Sequence, residues 1–329
     1  MTEFNAFWVE KDDKGTRHQI IKRQVDDLPE GDVLIEVLYS SVNFKDAMSV
    51  GGLPGVTRSY PHQPGIDAAG IIKASTDPQL PVGEEVIVVG FDLGMNTPGG
   101  FGQYIRVPSH WVVPMPAGLS LRESMILGTA GLTAALCVEK LEWMNAQPED
   151  GPVLVTGASG GVGSVAVSLL SLLGFEVVAM TGKTDQHDYL RGLGANNIIA
   201  RDGLGETSDR PMLKPAYAHA IDTVGGDILS NVVKSLQPQG SVAICGLVAS
   251  PQFEVSVLPF ILRGVNVLGV DSVELPVEDK ARNWARLAEE WQLPTLAAIT
   301  NEIDLEGIPD AVEKLLAGDM CGRTLVKLI

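Results

Sequence analysis

The sequence predicts an α/β protein in which a doubly wound parallel sheet occupies the middle of the chain and a β-rich part surrounds it. The first observation is the segment Gly-Ala-Ser-Gly-Gly-Val-Gly at positions 157–163, which directly follows a short apolar run at 153–156. The second is the alternation of strand-like and helix-like segments from residue 126 to 262, typical of βαβ units with right-handed crossovers. The third is the irregular character of residues 1–125, where Gly and Pro separate short strand-like runs.

The predicted elements follow from these patterns. In the β-rich part we expect strands at 33–38, 68–72, 85–89 and 104–107. In the middle part a helix at 127–141 precedes strands at 153–156, 177–180, 197–199, 220–222 and 242–245. Beyond these we expect a strand at 265–270, helices at 282–290 and 308–317, and a last strand at 324–328. The predicted domains are therefore 1–125, 126–262, and 263–329, the last returning to the first.

The glycine-rich segment predicts a dinucleotide-binding site. A strand, a glycine turn and a helix in succession direct unpaired backbone N–H groups and the positive end of the helix dipole at a phosphate. Glycine lets the backbone approach a pyrophosphate without a Cβ in the way. An ordinary βα turn is the alternative. The predicted cofactor contacts here are Ser159, Gly160, Gly161, Val162 and Gly163.

The end of the next predicted strand indicates which dinucleotide binds. A site specific for NAD places Asp or Glu at this position, to bind the ribose 2′-hydroxyl. Here the strand ends in Thr181-Gly182-Lys183, and the nearest carboxylate, Asp185, comes after the lysine. Lys183 and the Thr181 hydroxyl would attract a 2′-phosphate, and Arg201 would add a second positive group. The sequence therefore predicts NADPH, although both cations are also compatible with a solvated surface.

Composition excludes several classes of partner. With 41 acidic against 24 basic residues, the net charge is −17, which disfavours nucleic acid and anionic membranes. Three widely spaced cysteines do not make a disulfide framework and indicate a reducing compartment. The N-terminus lacks the basic and apolar regions of a signal peptide. We therefore expect a cytoplasmic protein with a small-molecule substrate.

Several segments resemble the zinc-free quinone oxidoreductase branch of the medium-chain dehydrogenase/reductase superfamily, and within it the NADPH-dependent acrylyl-CoA reductases. The segments that carry the resemblance are Ser-Ser-Val-Asn-Phe-Lys-Asp at 40–46, Pro-Gly-Ile-Asp-Ala-Ala-Gly at 64–70, Gly-Thr-Ala-Gly-Leu-Thr-Ala at 128–134, the glycine turn, Ile-Asp-Thr-Val-Gly at 221–225, Pro-Phe-Ile-Leu-Arg at 259–263, Gly-Val-Asp-Ser at 269–272 and Gly-Arg-Thr at 322–324. The resemblance implies a GroES-like catalytic domain, a Rossmann domain that binds NADPH, and a homodimer formed by the edges of the nucleotide-domain sheets.

The resemblance also implies a set of catalytic residues: Asn43, Lys45, Asp46, Asp67 and Arg323. The implied reaction transfers hydride from NADPH to the β-carbon of acryloyl-CoA, giving propionyl-CoA, and charge develops on the thioester oxygen, where hydrogen-bond donors are needed. Asn43, on a loop after a strand, is one candidate donor. Lys45 is expected to pair with Asp46 or Asp67, and Arg323 either donates to the substrate, binds its anionic part, or anchors the last strand.

Further cofactor contacts implied by the resemblance are Phe44, Thr133, Leu247, Ile261 and Ser272. Phe44 stands where relatives often have Tyr, which leaves an aromatic face for the nicotinamide but no hydroxyl.

The sequence predicts no metal site. Where zinc-dependent relatives carry Gly-His-Glu, this chain has Gly65-Ile66-Asp67, and residues 1–136 contain no cysteine. The five histidines show no ligand spacing, and zinc requires nitrogen and sulfur ligands in tetrahedral geometry. Two other functions remain open at this point: a quinone or enone reductase that does not need CoA, and a catalytically silent NADPH-binding protein.

Overall fold

The computed structural model describes residues 2–205 and 208–329, which form two compact units. The first unit contains Met1–Leu132, Ser272–Gln292 and Ile299–Ile329, and the second contains Thr133–Asp271 and Leu293–Ala298. These boundaries lie later in the chain than the predicted ones at 125 and 262, because a long helix continues past 125 and a further strand after 262 still pairs in the second unit's sheet.

The first unit is built mainly from strands. They are β1 (Glu3–Asp12), β2 (Gly15–Gln24), β3 (Val33–Val42), β4 (Asp67–Ser75), β5 (Glu85–Val89), β6 (Tyr104–Val107), β7 (Val112–Pro114), β14 (Thr300–Ile303) and β15 (Arg323–Lys327). Its helices are α1 (Phe44–Val50), the beginning of α2 (Leu121–Trp143), α8 (Val277–Ala288) and α9 (Ile308–Leu316). The hairpin β1–β2 and the short strand β7 were not predicted.

The arrangement of β3 places the ends of several strands together. Strands β14, β15, β3, β4, β5 and β7 form one sheet in that order, with β6 also paired to β3. Because β3 runs antiparallel to β4 and β15, its end lies beside their beginnings: Thr324 pairs with Val42, and β4 begins at Asp67. Apolar residues of these strands, including Val37, Ile72 and Ile105, form the core of the unit.

The second unit contains a six-stranded sheet in which all neighbouring pairs are parallel. Its strands are β8 (Val153–Val155), β9 (Val177–Thr181), β10 (Asn197–Ala200), β11 (Tyr217–Asp222), β12 (Leu236–Ile244) and β13 (Asn266–Gly269). The helices that follow these strands are α3 (Gly161–Leu172), α4 (His187–Gly192), α5 (Asp202–Gly205), α6 (Gly226–Ser235) and α7 (Leu258–Arg263).

The strand order, β10-β9-β8-β11-β12-β13, is that of the doubly wound dinucleotide-binding fold. In such sheets the ligand lies beyond the carboxyl ends of the strands where the order reverses, here next to β8. The expectation that residues 265–270 return to the first unit is wrong, because β13 pairs with β12 from Asn266 to Gly269.

Helix α2 is long and interrupted. At Gly128 the backbone adopts φ 53° and ψ −156°, so two helical stretches meet at a break that only glycine accommodates readily. The helix begins earlier than the predicted residue 127. By length and composition alone α2 could cross a membrane, but 89% of its apolar window is buried inside the protein. Its apolar character is therefore explained by packing in the interior.

Candidate active site

A buried polar cluster lies where β3 ends and where β4 and β15 begin. We call it the Asp67 cluster; its members are Ser41, Asn43, Asp67, Thr129 and Arg323. The Asp67 side chain is fully buried. Its Oδ2 accepts hydrogen bonds from Ser41 Oγ (2.5 Å), Asn43 Nδ2 (2.7 Å) and the Thr129 N–H (2.9 Å), and its Oδ1 accepts one from Thr129 Oγ1 (2.5 Å). Four hydrogen-bond donors thus converge on one buried carboxyl group.

Arg323 supplies the positive charge of the cluster. Its Nε donates to the Ile126 carbonyl (2.8 Å), its Nη1 to Asn43 Oδ1 (3.2 Å), and its Nη2 to Ser41 Oγ (2.9 Å). The nearest guanidinium nitrogen lies 3.8 Å from Asp67 Oδ2. Burial lowers the pKa of Arg323, and the charges of Asp67 and Asp46 act in the opposite direction. The guanidinium is thus held by protein groups on every nitrogen, which favours an anchoring role over direct binding of substrate.

Asp46 lies beside the cluster, on helix α1. Asn43 is the N-cap of this helix, and Asp46 at the third helical position accepts the Asn43 backbone N–H through Oδ2 (2.8 Å). Its other oxygen accepts the Ile66 N–H (2.8 Å). Burial, and next the charge of Asp67, raise the pKa of Asp46 from 3.8 to about 7, although these hydrogen bonds act in the opposite direction. Asp46 therefore changes its charge near neutral pH.

The structure changes the interpretation of the residues at 43–46. They do not form a loop: Asn43 is the N-cap of a helix, and its backbone N–H donates to the carboxylate of Asp46 at the third helical position. Asn43 Nδ2 donates to Asp67 and to the Ser41 carbonyl (3.3 Å), so its donors are already used within the protein. Lys45 was expected to pair with Asp46 or Asp67, but the hydrogen bonds described at these two carboxyl groups come from other residues. Lys45 is half-buried at the second position of the helix.

Two members of the cluster, Ser41 and Thr129, were not predicted from the sequence. Thr129 follows the break in α2, and a Cβ added to Gly128 would lie 2.3 Å from Asp67 Oδ2 and 2.5 Å from Ser41 Oγ. Glycine at 128 is therefore required both by the backbone angles and by the close approach of the cluster. A glycine inside an apolar helical pattern was the available signal.

In the second unit, the glycine turn has the geometry expected of a phosphate site. Gly160 is the N-cap of α3, and Gly157, with φ 59°, turns the chain after β8. A Cβ on Gly163 would lie 2.3 Å from the Gly157 carbonyl oxygen, so the first turn of the helix packs directly against the glycine turn. The backbone N–H groups of Gly161 and Val162, at the first two helical positions, have no carbonyl partner within the helix. This arrangement fits a dinucleotide pyrophosphate.

The carboxyl end of β9 also fits the predicted ligand. Thr181 Oγ1 lies 3.2 Å from Ser159 Oγ and accepts the Lys183 backbone N–H (3.1 Å). A Cβ on the exposed Gly182 would lie 3.8 Å from the Arg201 guanidinium carbon, which shows that this cation packs over the same turn. The turn Thr181–Lys183 thus carries one hydroxyl and one ammonium and no carboxylate, and the Arg201 guanidinium lies beside it, as a ribose 2′-phosphate would require.

The other predicted cofactor contacts differ in exposure. Phe44 (37%), Leu247 (56%) and Ile261 (69%) expose large apolar side chains, whereas Thr133 and Ser272 are buried. Exposed apolar groups are available to a ligand or a partner, so their assignment to the cofactor stays a prediction.

The residues present do not fit a zinc ion. Within residues 2–205 and 208–329, no three His, Cys, Asp or Glu side chains are grouped so that they could hold a metal. Ile66 is buried and offers no ligand atom in its side chain, and its N–H is used by Asp46. The carboxyl oxygens of Asp67 are occupied by hydrogen-bond donors.

Comparison with known proteins identifies relatives over nearly the whole chain. The model of the alcohol dehydrogenase GroES-like domain matches residues 29–117, and that of the zinc-binding dehydrogenases matches residues 161–289. The probable acrylyl-CoA reductase AcuI of Escherichia coli is 43% identical over 323 residues, covering 98% of this chain and 99% of that protein. The acrylyl-CoA reductase AcuI of Ruegeria pomeroyi is 42% identical, and the alignment covers 98% of each chain. The putative quinone oxidoreductase YhfP of Bacillus subtilis is 41% identical, and the alignment covers 99% of each chain.

Solved structures agree in fold. The yhdH oxidoreductase of Salmonella enterica, crystallised with NADP, superposes with a TM-score of 0.96 at 43% identity and covers 99% of this chain and 100% of its own. Bacillus subtilis yhfP, crystallised with NAD, gives 0.96 at 41% identity with full coverage of both chains. With two matching domains and this identity over its whole length, the chain belongs to the medium-chain dehydrogenase/reductase superfamily of oxidoreductases, in the zinc-free quinone oxidoreductase branch.

Proposed function

We propose that this enzyme uses NADPH to reduce the carbon–carbon double bond of acryloyl-CoA, producing propionyl-CoA. The observation that carries the proposal is the identity of 42–43%, over nearly the whole chain, with proteins named acrylyl-CoA reductase or probable acrylyl-CoA reductase. The turn at Thr181–Lys183 adds independent support, because its hydroxyl and cations suit the phosphorylated cofactor. NADPH, when bound, supplies the hydride that the β-carbon of the thioester accepts.

The residues of the second unit hold the cofactor in this proposal. The first turn of α3 donates backbone N–H groups to the pyrophosphate. Lys183, Arg201 and the Thr181 hydroxyl bind the 2′-phosphate, since charge-assisted hydrogen bonds to phosphate are about twice as strong as neutral ones. Because Bacillus subtilis yhfP was crystallised with NAD, the ratio of NADPH to NADH use by this enzyme is the quantity to measure.

The residues of the first unit stabilise the charge that develops on the thioester oxygen. Asn43 and Arg323 act as positioning residues, because the hydrogen bonds of the Asp67 cluster already use their donors. Lys45 occupies the second position of the helix that Asn43 caps, and it is half-buried. We assign the stabilising positive charge to its ammonium group, which would be worth about 3–4 kcal/mol if it acts like other donors of this kind.

The substrate assignment is tested by comparing NADPH oxidation with acryloyl-CoA, free acrylate, crotonyl-CoA and a simple quinone. We expect kcat/KM to be highest for acryloyl-CoA, with propionyl-CoA as the product identified by mass spectrometry. A higher kcat/KM for the quinone would instead support the quinone reductase alternative, for which the 41% identity with YhfP is the argument. NADPH binding without turnover of any of the four would indicate a catalytically silent protein.

The role of Lys45 is tested by Lys45→Met. We expect kcat with acryloyl-CoA to fall by about 100- to 1,000-fold while the Kd for NADPH changes little, because the interaction strengthens only as charge develops. Lys73→Met is the matched control: this lysine lies on β4 of the same unit and pairs with Glu36 at 2.6 Å near the surface. An unchanged kcat in folded Lys45→Met would move the stabilising role to another group.

We further propose a cytoplasmic homodimer. In the second unit β13 is an edge strand, and Leu247, Val248, Val257, Ile261 and Leu262 expose apolar side chains in the segments that precede it. Unpaired strand edges and exposed apolar groups favour association. Light scattering should give twice the chain mass, and Leu262→Glu should shift it toward the monomer; a wild-type monomer at micromolar concentration would refute the proposal. The three widely spaced cysteines, Cys137, Cys245 and Cys321, suit a reducing compartment.

A further inference from the structure

A lysine is buried completely in the first unit, away from the Asp67 cluster. Lys280 lies on α8 and has no exposed surface. Its Nζ donates to the Val89 carbonyl at 2.9 Å and to the Val273 carbonyl at 2.8 Å. The same ammonium lies 3.3 Å from the centroid of the Phe91 ring, which stacks on Trp111 at 5.5 Å. Removing an ammonium from water is costly, so a methionine of similar length would be the simpler choice for stability alone.

The contacts of Lys280 join two segments that are distant in sequence. The Val273 carbonyl accepts a second hydrogen bond, from the Phe91 N–H at 2.9 Å. Gly90 closes the same contact: a Cβ there would lie 2.8 Å from the Val273 oxygen, 2.9 Å from Lys280 Nζ and 3.0 Å from the Ser272 oxygen. The loop after β5 is therefore held against residues 272–273 by hydrogen bonds and close packing, and Lys280 supplies the charged group of this contact.

Residues 272–273 lie shortly after β13, the last strand of the parallel sheet. Strand β13 ends at Gly269, and the Val270 N–H still donates to the Ile244 carbonyl of β12 at 3.0 Å. Ser272 thus follows the carboxyl end of a strand in the dinucleotide-binding sheet by three residues, and ligands of such sheets bind beyond the carboxyl ends. Its side chain is polar and more than nine-tenths buried.

We propose that Lys280 is a positioning residue for dinucleotide binding, which it serves by fixing the Ser272–Val273 segment where the chain leaves the parallel sheet. The proposal rests on NADPH as the cofactor of the proposed function. It assigns no direct contact between Lys280 and the cofactor. In this role the charge provides geometric precision: an ammonium with two carbonyl acceptors and an aromatic face tolerates little displacement of any of them.

The test is a double-mutant cycle between Lys280→Met and Ser272→Ala, read by the equilibrium Kd for NADPH in the absence of substrate. We expect each single variant to raise Kd, Lys280→Met by about tenfold, and the double variant to raise it no more than the larger single effect. Effects of residues that act as a unit are not additive, whereas those of independent residues multiply in Kd. Trp284→Phe is the matched control, since Trp284 is fully buried one turn further on α8 and contacts neither segment through a described hydrogen bond.

A purely structural role would lower the unfolding free energy of Lys280→Met and Trp284→Phe alike and leave Kd unchanged in both. That outcome, or multiplicative effects in the double variant, would overturn the proposal. If Lys280→Met does not fold, Lys280→Gln, which keeps one donor, is measured in the same cycle with the same criterion. Because Kd is measured without acyl-CoA, an enzyme that binds NADPH but fails to reduce acryloyl-CoA would refute the proposed substrate and leave this test intact.

Discussion

Replacing Arg323 by Met tests whether the Asp67 cluster is held together by its buried charges. The side chain is 3% exposed, and methionine preserves much of its volume while removing four hydrogen bonds of 2.8–3.4 Å and the positive charge beside Asp67. Removing one partner of a buried ion pair typically costs 3–5 kcal/mol. Because Asp67 keeps four other hydrogen-bond donors, we expect a loss of about 3 kcal/mol in unfolding free energy.

The assay is urea unfolding followed by tryptophan fluorescence in a Trp143→Phe background. The four remaining tryptophans then all lie in the first unit, so the signal reports the unit that contains Arg323. Arg122→Met is the control: its guanidinium pairs with Glu302 at 2.7 Å in the same unit, but both side chains are about 40% exposed. Exposed pairs contribute about 0–1 kcal/mol. If Arg323→Met loses no more than Arg122→Met, the buried charges do not hold the cluster.

Three further predictions concern pH, cofactor choice and the break in α2. The pKa of Asp46 is about 7 in the folded protein and 3.8 ordinarily, so the folded state binds more protons than the unfolded state between these pH values. The unfolding free energy of wild type relative to that of Asp46→Asn should therefore increase as pH falls from 8 to 4, by up to about 4 kcal/mol in urea unfolding. A difference that does not change with pH would contradict this prediction. Lys183→Ala and Arg201→Ala should each raise KM for NADPH about tenfold or more and leave KM for NADH nearly unchanged; equal effects on both cofactors would exclude a 2′-phosphate contact. Gly128→Ala should destabilise by more than about 3 kcal/mol, whereas Gly192→Ala in α4, where a methyl group meets nothing within 4 Å, should be neutral or stabilising in the same assay.

Much of the parallel sheet could be predicted from the sequence because its strands are buried on both faces. The residues at 153–155 and at 177–180 are all apolar, and β8 and β9 lie at nearly those positions. The hairpin was missed for the opposite reason. Strand β2 exposes most of its side chains and is rich in basic and polar residues, so it shows no alternation of apolar and polar residues. It is a strand because ten of its residues pair with β1. Pairing partners distant in sequence leave no local pattern.

The candidate site was predicted in its charged members and in Asn43, and missed in the two residues that contribute hydroxyl groups. Asn43, Asp67 and Arg323 are brought together by the structure, although they are far apart in sequence, while Asp46 lies beside them. Their catalytic roles stay predictions. The hydroxyls of Ser41 and Thr129 were missed because Ser and Thr occur everywhere in a sequence, and only the packing of the break in α2 against β3 and β4 makes these two necessary.

The Asp67 cluster and the break in α2 are one structural feature. A second helical stretch starts at Thr129, and Asp67 accepts the Thr129 N–H as an N-cap residue would, from a distant strand. On the other side of the break the Ile126 carbonyl accepts Arg323 Nε. Each member of the buried ion pair therefore satisfies a backbone group on one side of the break. Two apolar side chains would fill the same volume but remove the hydrogen bonds that this N–H and this C=O now make, and losing the partner of a buried polar group costs about 1–3 kcal/mol. The buried charges are thus needed because the helix is interrupted, and the interruption is stable because the charged side chains bond to the backbone groups on its two sides.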